Sequence, residues 1–266
     1  MSSVFGVTMV RNEADVIEGC LRHMAAEVDS LIVADNGSTD STPQILQRLR
    51  RELPLTIVDD PEVGYYQSRK MTALAERAAE AGAEWIVPFD ADELWVSPFG
   101  RVADALSLCR GNIAPAALFN HWATAVDPAG PDPFVTMQWR SPEPVGLPKV
   151  AFRWGRGAVI HQGNHGVDLP GPRHVEEGLL AVHHFPYRSV EQFTAKARQG
   201  AAAYRATDLP ESAGQHWRIY GEVLDKHGEE ALHGHFRRHF WFLIPVDSGL
   251  VLDPAPYRRW EQPEEG

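Results

Sequence analysis

Along the first hundred residues the apolar positions alternate between two periods. Val4–Val10 is a nearly continuous apolar run of strand length. After it Val16, Cys20, Leu21 and Met24 fall at helical spacing and predict a helix with that face buried. Asn12 reads as its cap, and Asp15 stands in its first turn, where the helix dipole favours a carboxylate. Residues 31–34 predict a second strand. Ser41, with Gln44 three positions on, resembles a capping box for a helix carrying Ile45, Leu46 and Leu49. Residues 55–58 predict a third strand. Residues 67–81 predict a helix with Met71, Leu74 and Ala78 inward and Gly82 as its stop, and residues 85–89 a fourth strand. Strands alternating with helices predict an α/β fold, with a mainly parallel central sheet covered on both faces by right-handed crossovers.

The pattern then changes. Residues 111–175 are rich in proline and glycine and hold three β-like runs, at 117–126, 135–140 and 149–154, with an exposed loop expected at 127–133. Residues 179–185 predict another strand. Ser189 with Gln192 predicts the start of a helix carrying Phe193, Ala197 and Ala201. Two further helices are expected, at 216–226 and 229–242, and a polar, frayed end at 262–266. The run 239–246 (HFWFLIPV) is the most lipid-like segment; it is too short to span a bilayer and reads as a buried helix end, with peripheral membrane contact as the most it would support.

Composition narrows the class. The chain has 266 residues, enough for one sizeable core, and a formal net charge of −11, which argues against a general nucleic-acid binder. Cys20 and Cys109 cannot build a disulfide framework, which fits a reducing, cytoplasmic setting. No signal-peptide pattern and no apolar run of spanning length is found.

Chemistry concentrates at Asp90-Ala91-Asp92-Glu93, straight after the fourth strand. Ionised carboxylates one residue apart suit Mg²⁺ or Mn²⁺, whose remaining positions are commonly filled by water and substrate phosphate oxygens. In open α/β sheets, ligands bind beyond the carboxyl ends of the strands. The same residues would also serve as a solvated acidic turn.

Three motifs together resemble the GT-A (Rossmann-like) glycosyltransferases, more narrowly the inverting family 2 and its small bacterial relatives. They are Val7-Thr8-Met9-Val10-Arg11-Asn12-Glu13, then Asp35-Asn36-Gly37-Ser38-Thr39-Asp40-Ser41-Thr42, which resembles D-[DN]-[GN]-S-x-D-x-[ST], and Asp90-Ala91-Asp92-Glu93, which resembles the DxD metal motif. The match in order and spacing runs over about residues 4–95. A fourth stretch, His183 to Ser189 through Phe193 and Lys196, is similar to a C-terminal pattern of those relatives.

The resemblance implies transfer of a sugar from a nucleotide-diphosphate donor, a UDP-sugar first, to a hydroxyl on a glycan, lipid or small molecule. It implies Mn²⁺ or Mg²⁺ as the cofactor. Val10, Asn12 and Glu13 would border the nucleotide, Asp35 would accept a hydrogen bond from its base, and Arg69 would face it. Asp90 would contact the ribose or a metal-bound water, and Asp92 would bind the metal. Lys70 departs from the pattern, standing where many members have Asn after the Arg. The implied organisation is a domain at 1–205, nucleotide-binding over 1–95 and acceptor-facing over 96–205, with a helical extension at 206–266.

An attacking hydroxyl needs a base. His165, Asp168 and His184 are the candidates, with His161, His183, Glu176 and Glu177 beside them. Adjacent strand residues face opposite ways, so one of His183 and His184 looks into the site. A neutral imidazole there would serve as a further metal ligand or as the base, and Arg188 and Lys196 would face the diphosphate. A sugar-nucleotide nucleotidyltransferase would need a glycine-rich loop after the first strand, and the turn Val10-Arg11-Asn12-Glu13 has no glycine. No Walker motif occurs. A non-catalytic nucleotide-sugar binder would keep Asp35 and Asp92 but lack a base and an acceptor groove.

Overall fold

The computed structural model describes residues 2–256, so the polar end expected at 262–266 lies outside the described residues. Strand β1 (Val4–Val10), helix α1 (Ile17–Glu27), β2 (Ser30–Asp35), α2 (Thr42–Leu49), β3 (Leu55–Asp59), α3 (Gln67–Glu80) and β4 (Trp85–Pro88) follow the predicted alternation. β1 lies between β2 and β4 and runs parallel to both, and β2 runs parallel to β3. One face of this sheet packs Val4 and Val10 with Leu21 and Met24 of α1; the other packs Val7 and Ile32 with Met71 and Leu74 of α3. Gly6 sits where strand and neighbours close up. A Cβ there would stand 2.8 Å from Leu31 Cδ2 and 3.0 Å from Phe89 Cε1.

Two predicted caps form differently. Asn12 has φ of 55° and its side-chain oxygen accepts from Thr39 N at 2.7 Å, so it staples the 38–40 loop, and α1 begins only at Ile17. Ser41 makes no side-chain cap on α2; Asp40 Oδ1 takes the Thr42 N–H at 2.9 Å. In both cases the acceptor is a neighbouring residue of the 35–42 loop and not the nominal cap: Asp40 and Thr42 take the Ala14 and Glu13 N–H groups before α1, and Asp40 takes that of Thr42 in α2.

Beyond β4 the chain adds β5 (Glu93–Val96), α4 (Val102–Leu108), β6 (Ile113–Thr124), α5 (Pro133–Thr136), β7 (Trp139–Arg140), β8 (Lys149–Arg153), β9 (Val159–Ile160), a 3₁₀ turn (Gln162–Asn164), β10 (Val167–Asp168) and β11 (Leu180–His184). β8 pairs antiparallel with β4 and β6, and β11 lies between β6, parallel, and β5, antiparallel. The sheet is therefore parallel on its nucleotide-motif side and mixed overall. β5 and α4 carried no prediction: a four-residue strand directly after an acidic turn gives too short a period to read. The expected run at 135–140 is strand only at its end, β7; its first two residues close the turn of α5, which Asp132 caps through Phe134 N.

α6 (Val190–Arg205) opens as predicted, with Ser189 Oγ accepting from Gln192 N at 3.1 Å. α7 (Gln215–His227) and α8 (Glu229–His239) pack on it, Tyr220 and Leu224 of α7 and Leu232 and Phe236 of α8 meeting Phe193 and Ala197. Two short strands, β12 (Trp241–Phe242) and β13 (Val251–Leu252), close the described chain. The segment read as a buried helix end turns out largely exposed at Leu243, Ile244 and Val246, because α8 stops at His239 and Pro245 begins a turn. Among the described residues, no helix is long and apolar enough to cross a membrane.

A buried imidazole pair ties β6 to β11. His121 Nδ1 donates to Met137 O at 2.8 Å, and its Nε2 accepts from His183 Nδ1 at 2.8 Å. Burial pushes His121 down to about 3 and His183 to about 4, against an ordinary value of 6.5. As pH falls below 6.5 the unfolded chain takes up protons that the folded pair refuses, so stability falls from there to about pH 4. Urea unfolding at pH 7.5, 6.0 and 5.0 should show that loss, and His121→Phe should make it shallower; an unchanged slope would mean that the pair titrates normally.

Candidate active site

The carboxyl ends of β1, β2 and β4 come together at one edge, which puts Arg11 to Glu13, Asp35 and Asp90 to Asp92 side by side. β11 completes the edge: His184 pairs with Glu93 in register, and Phe185 N donates to Asp92 O at 2.9 Å. A cavity of about 280 Å³ opens there, walled by Val10, Glu13, Asp90, Asp92 and His184 and roofed by Lys196, Tyr204 and Trp217 of the C-terminal helices and their approach. Gly200 lets the roof close, since a Cβ there would stand 2.9 Å from the Trp217 ring. Gln199 fastens α6 to the first turn, accepting from Asn12 Nδ2 at 2.9 Å and donating to Arg11 O at 3.0 Å.

The charged groups form two webs. In the first, Arg188, almost wholly buried, donates to Asp15 (2.7 and 2.9 Å), to Glu13 Oε2 (2.7 Å) and to Phe185 O (3.2 Å), and lies 3.6 Å from Asp92 Oδ2. Lys196 Nζ holds the same Asp92 Oδ2 at 2.5 Å and reaches within 4.0 Å of Glu13. Burial opposes the charge of Asp92, but Lys196, His184 and Arg188 more than offset it and hold the carboxyl well below its usual range. Burial raises Glu13 despite Lys196 and Arg188.

In the second web Lys149 Nζ bridges Asp90 Oδ2 and Glu93 Oε1, both at 2.7 Å, and donates to Gly163 O at 2.8 Å. Asp90 Oδ1 accepts from Asn164 Nδ2 at 3.0 Å and Gln67 Nε2 at 3.3 Å. Glu93 is fully buried, and burial pushes it up to about 7 despite Lys149.

His184 is set differently. Its Nδ1 lies 2.8 Å from Asn120 Oδ1, an atom with no proton, so Nδ1 carries the hydrogen and Nε2 presents a lone pair. Nε2 stands 3.7 Å from Asp92 Oδ1. Burial pushes the ring down to about 4, so it is neutral at pH 7. His183 turns the other way, to His121, as strand alternation requires.

Other candidates lie elsewhere. Asn12 and Asp35 do not line the cavity: Asn12 staples the loop, and Asp35 Oδ1 accepts from Ser38 N at 3.0 Å while its neighbour Asn36 reaches the wall. Arg69 is exposed, pairs with Glu62 and lies over the Tyr66 ring. Lys70 is buried against Asp60 at 2.7 Å. Asp168 is exposed and pairs with His161 at 3.0 Å. Glu176 accepts the Arg110 and Gly111 N–H groups at the surface. His165 lies on the far side of Asp90, in a second cavity. Sequence reasoning missed Lys149 and Asn164, whose partners are 59 and 74 residues away; the Gly163-Asn164 pair beside His165 was the available signal.

The family model described as glycosyl transferase family 2 matches residues 7–99, about a third of the chain and the part that holds all three motifs. A TPR repeat-containing protein of Synechococcus elongatus is 34% identical over 93 residues, which are 35% of this chain and 21% of that protein. The chain thus spans about a fifth of the length of this relative. Among solved structures, S. aureus TarS 1–349 in complex with UDP is 13% identical, with a TM-score of 0.40 over 89% of this chain and 75% of that one. GalNAc-T7 with UDP, GalNAc and Mn²⁺ is 10% identical, with a TM-score of 0.39 over 90% of this chain and 58% of that one.

The Arg188 web yields a stability test. Removing the guanidinium takes from Glu13, Asp15 and Asp92 the buried partner they share, and breaking such a buried pair costs about 3 kcal/mol or more. Arg188→Ala should lose about that much in urea unfolding, and adding Glu13→Ala should restore part of it. Additive losses in the double variant would mean that the two do not interact.

Proposed function

We propose that this chain is a glycosyltransferase that takes a sugar from a nucleotide-diphosphate donor, UDP-linked first, and passes it to a hydroxyl acceptor with inversion. The match of residues 7–99 to family 2 supports the class. The observation that carries the site is the facing pair on the cavity wall: an ionised Asp92 Oδ1 and a neutral His184 Nε2, 3.7 Å apart, both acceptors with no proton between them.

This donor set fits a divalent cation. The carboxylate oxygen suits either Mn²⁺ or Mg²⁺, the imidazole nitrogen favours Mn²⁺ of the two, and the cavity leaves room for phosphate oxygens to complete the coordination. Asp92 and His184 would hold the ion, which when bound supplies Lewis-acid stabilisation of the leaving diphosphate. The protein's own groups do the rest. Lys196 reaches the cavity on a flexible stem and supplies a second positive charge for the diphosphate. Tyr65, Tyr204 and Trp217 offer aromatic faces to base and sugar. Asp90, locked by Lys149, Asn164 and Gln67, is a fixed acceptor for a ribose or sugar hydroxyl. Asp35 is held off the cavity wall by the Ser38 N–H, so its role toward the base would pass through its neighbour Asn36, which reaches the wall.

Wall carboxylates outnumber free cations, which makes donor binding depend on the added ion. UDP with Mn²⁺ should raise the melting temperature by about 5 °C or more at saturating concentration, and UDP alone by much less. Asp92→Asn should abolish the Mn²⁺-dependent part and the release of UDP from a UDP-sugar while the fold stays intact. Equal shifts with and without metal in both proteins would make Asp90 to Glu93 a structural turn. A wild type that shifts with the nucleotide sugar but never releases its sugar would be a binder.

A further inference from the structure

Beside the donor cavity lies a second one of about 270 Å³, and the two share Tyr65, Asp90 and His184 as a common wall. Its other lining residues include Gln67, Leu118, Asn120, Lys149, His165 and the exposed Leu147. A molecule seated there faces the donor cavity across Asp90 and His184. Building on the donor reading above, we propose that this second cavity is the acceptor subsite, that it takes a neutral hydroxylated molecule of about one sugar ring, and that His165 is the base that deprotonates it.

The case for His165 begins with the carboxylates. Asp90 is held by Lys149, Asn164 and Gln67; Asp92 by Lys196; Glu13 and Asp15 by Arg188; and Glu93 is sealed from solvent. Asp168, Glu176 and Glu177 line neither cavity. His184 has its lone pair turned to Asp92. His165 is free: its Nδ1 donates to Pro148 O at 3.0 Å, which fixes the tautomer and leaves the Nε2 lone pair with no partner among the described residues. The ring is held over Gly163, where φ is +77° and a Cβ would stand 2.6 Å from Cδ2 and 3.0 Å from Nε2. Any larger residue would cover the nitrogen. Burial, with the nearby charge of Lys149, lowers the ring's affinity for a proton, so it is available as a base at neutral pH.

The lining also selects the acceptor. The lysine of this cavity, Lys149, is consumed by Asp90 and Glu93, so no free cation is left for an anionic acceptor. Asn120 and Gln67 offer amide groups to hydroxyls, and Leu118, Val145 and Leu147 offer an apolar flank. In the transfer, His165 Nε2 takes the hydroxyl proton and the acceptor oxygen forms a bond to the anomeric carbon. The bond from that carbon to the phosphate oxygen breaks, its electron pair leaving with the nucleoside diphosphate. The imidazolium then returns its proton to solvent. Attack from this side, opposite the donor cavity, inverts the anomeric centre.

The test uses the whole chain with Mn²⁺, UDP-glucose, UDP-galactose and UDP-N-acetylglucosamine as donors, and methyl glycosides or water as hydroxyl probes. His165→Ala should lower kcat about 10²–10³-fold. The Kd for UDP should stay within about twofold, as expected for a residue outside the donor cavity. Added imidazole should restore about tenfold or more in the variant and nothing in the wild type, a rescue that a merely structural role would not give. His165→Gln serves if the alanine variant does not fold. A kcat within about threefold of wild type, or a loss that imidazole does not rescue, overturns the base assignment. Cleavage to water with no transfer to any methyl glycoside overturns the acceptor class, while the rescue still decides His165. A wild type that neither binds UDP nor cleaves any of the donors overturns the donor reading, and this one with it.

Discussion

One buried guanidinium holds the working edge of this protein together. Arg188 reaches back across 173 residues of chain to Asp15, touches Glu13, caps the carbonyl of Phe185 and lies against Asp92. The planar fork of arginine can satisfy several acceptors at once, which a lysine could not. Through it the first strand-to-helix turn, the acidic turn after β4 and the entry to α6 share one anchor. Lys196, two turns into α6, then falls on Asp92, and Gln199 on the backbone of Arg11. The helical roof is thus fixed by polar contacts to the sheet edge, and its own small apolar cluster stands apart from the two larger ones.

Electrostatics then divide the labour. Lysine and arginine neutralise the carboxylates and fix them in place, so they serve as ligands and hydrogen-bond acceptors. Burial keeps the imidazoles neutral, each with one nitrogen committed to a carbonyl or amide oxygen and the other presenting a lone pair. Neutral imidazoles are what burial alone produces, whereas a lone carboxylate in the same surroundings would take up a proton; Asp92 stays ionised because Lys196 and Arg188 stand against it. The two lysines, Lys149 and Lys196, make the difference.

The first half of the fold was legible because its signals are local. Alternating periods gave β1 to β4 and the helices between them, and the three loop motifs sit where those strands end. That one of His183 and His184 faces the site followed from alternation along β11; that it is His184 is visible only in the structure. Other features depended on contacts far apart in sequence. Nothing in the chain says that Lys149 meets Asp90, that Asn12 is spent on Thr39 instead of a helix cap, or that Arg69 turns outward to Glu62. The exposed run after α8 was misread because hydrophobicity alone does not say whether a partner surface exists. His165 was named among several candidates, and only the three-dimensional elimination of the carboxylates sets it apart.

The central assignment is that Asp92 and His184 together face the ligand. Electron spin-echo spectroscopy on Mn²⁺ bound to the protein with UDP reads the metal's nearest nuclei directly. A ¹⁴N coupling from one imidazole is expected, changing character when the histidines carry ¹⁵N and vanishing in His184→Ala, together with ³¹P couplings from the diphosphate. A spectrum with phosphorus couplings but no nitrogen, or with nitrogen that survives in His184→Ala, would contradict it.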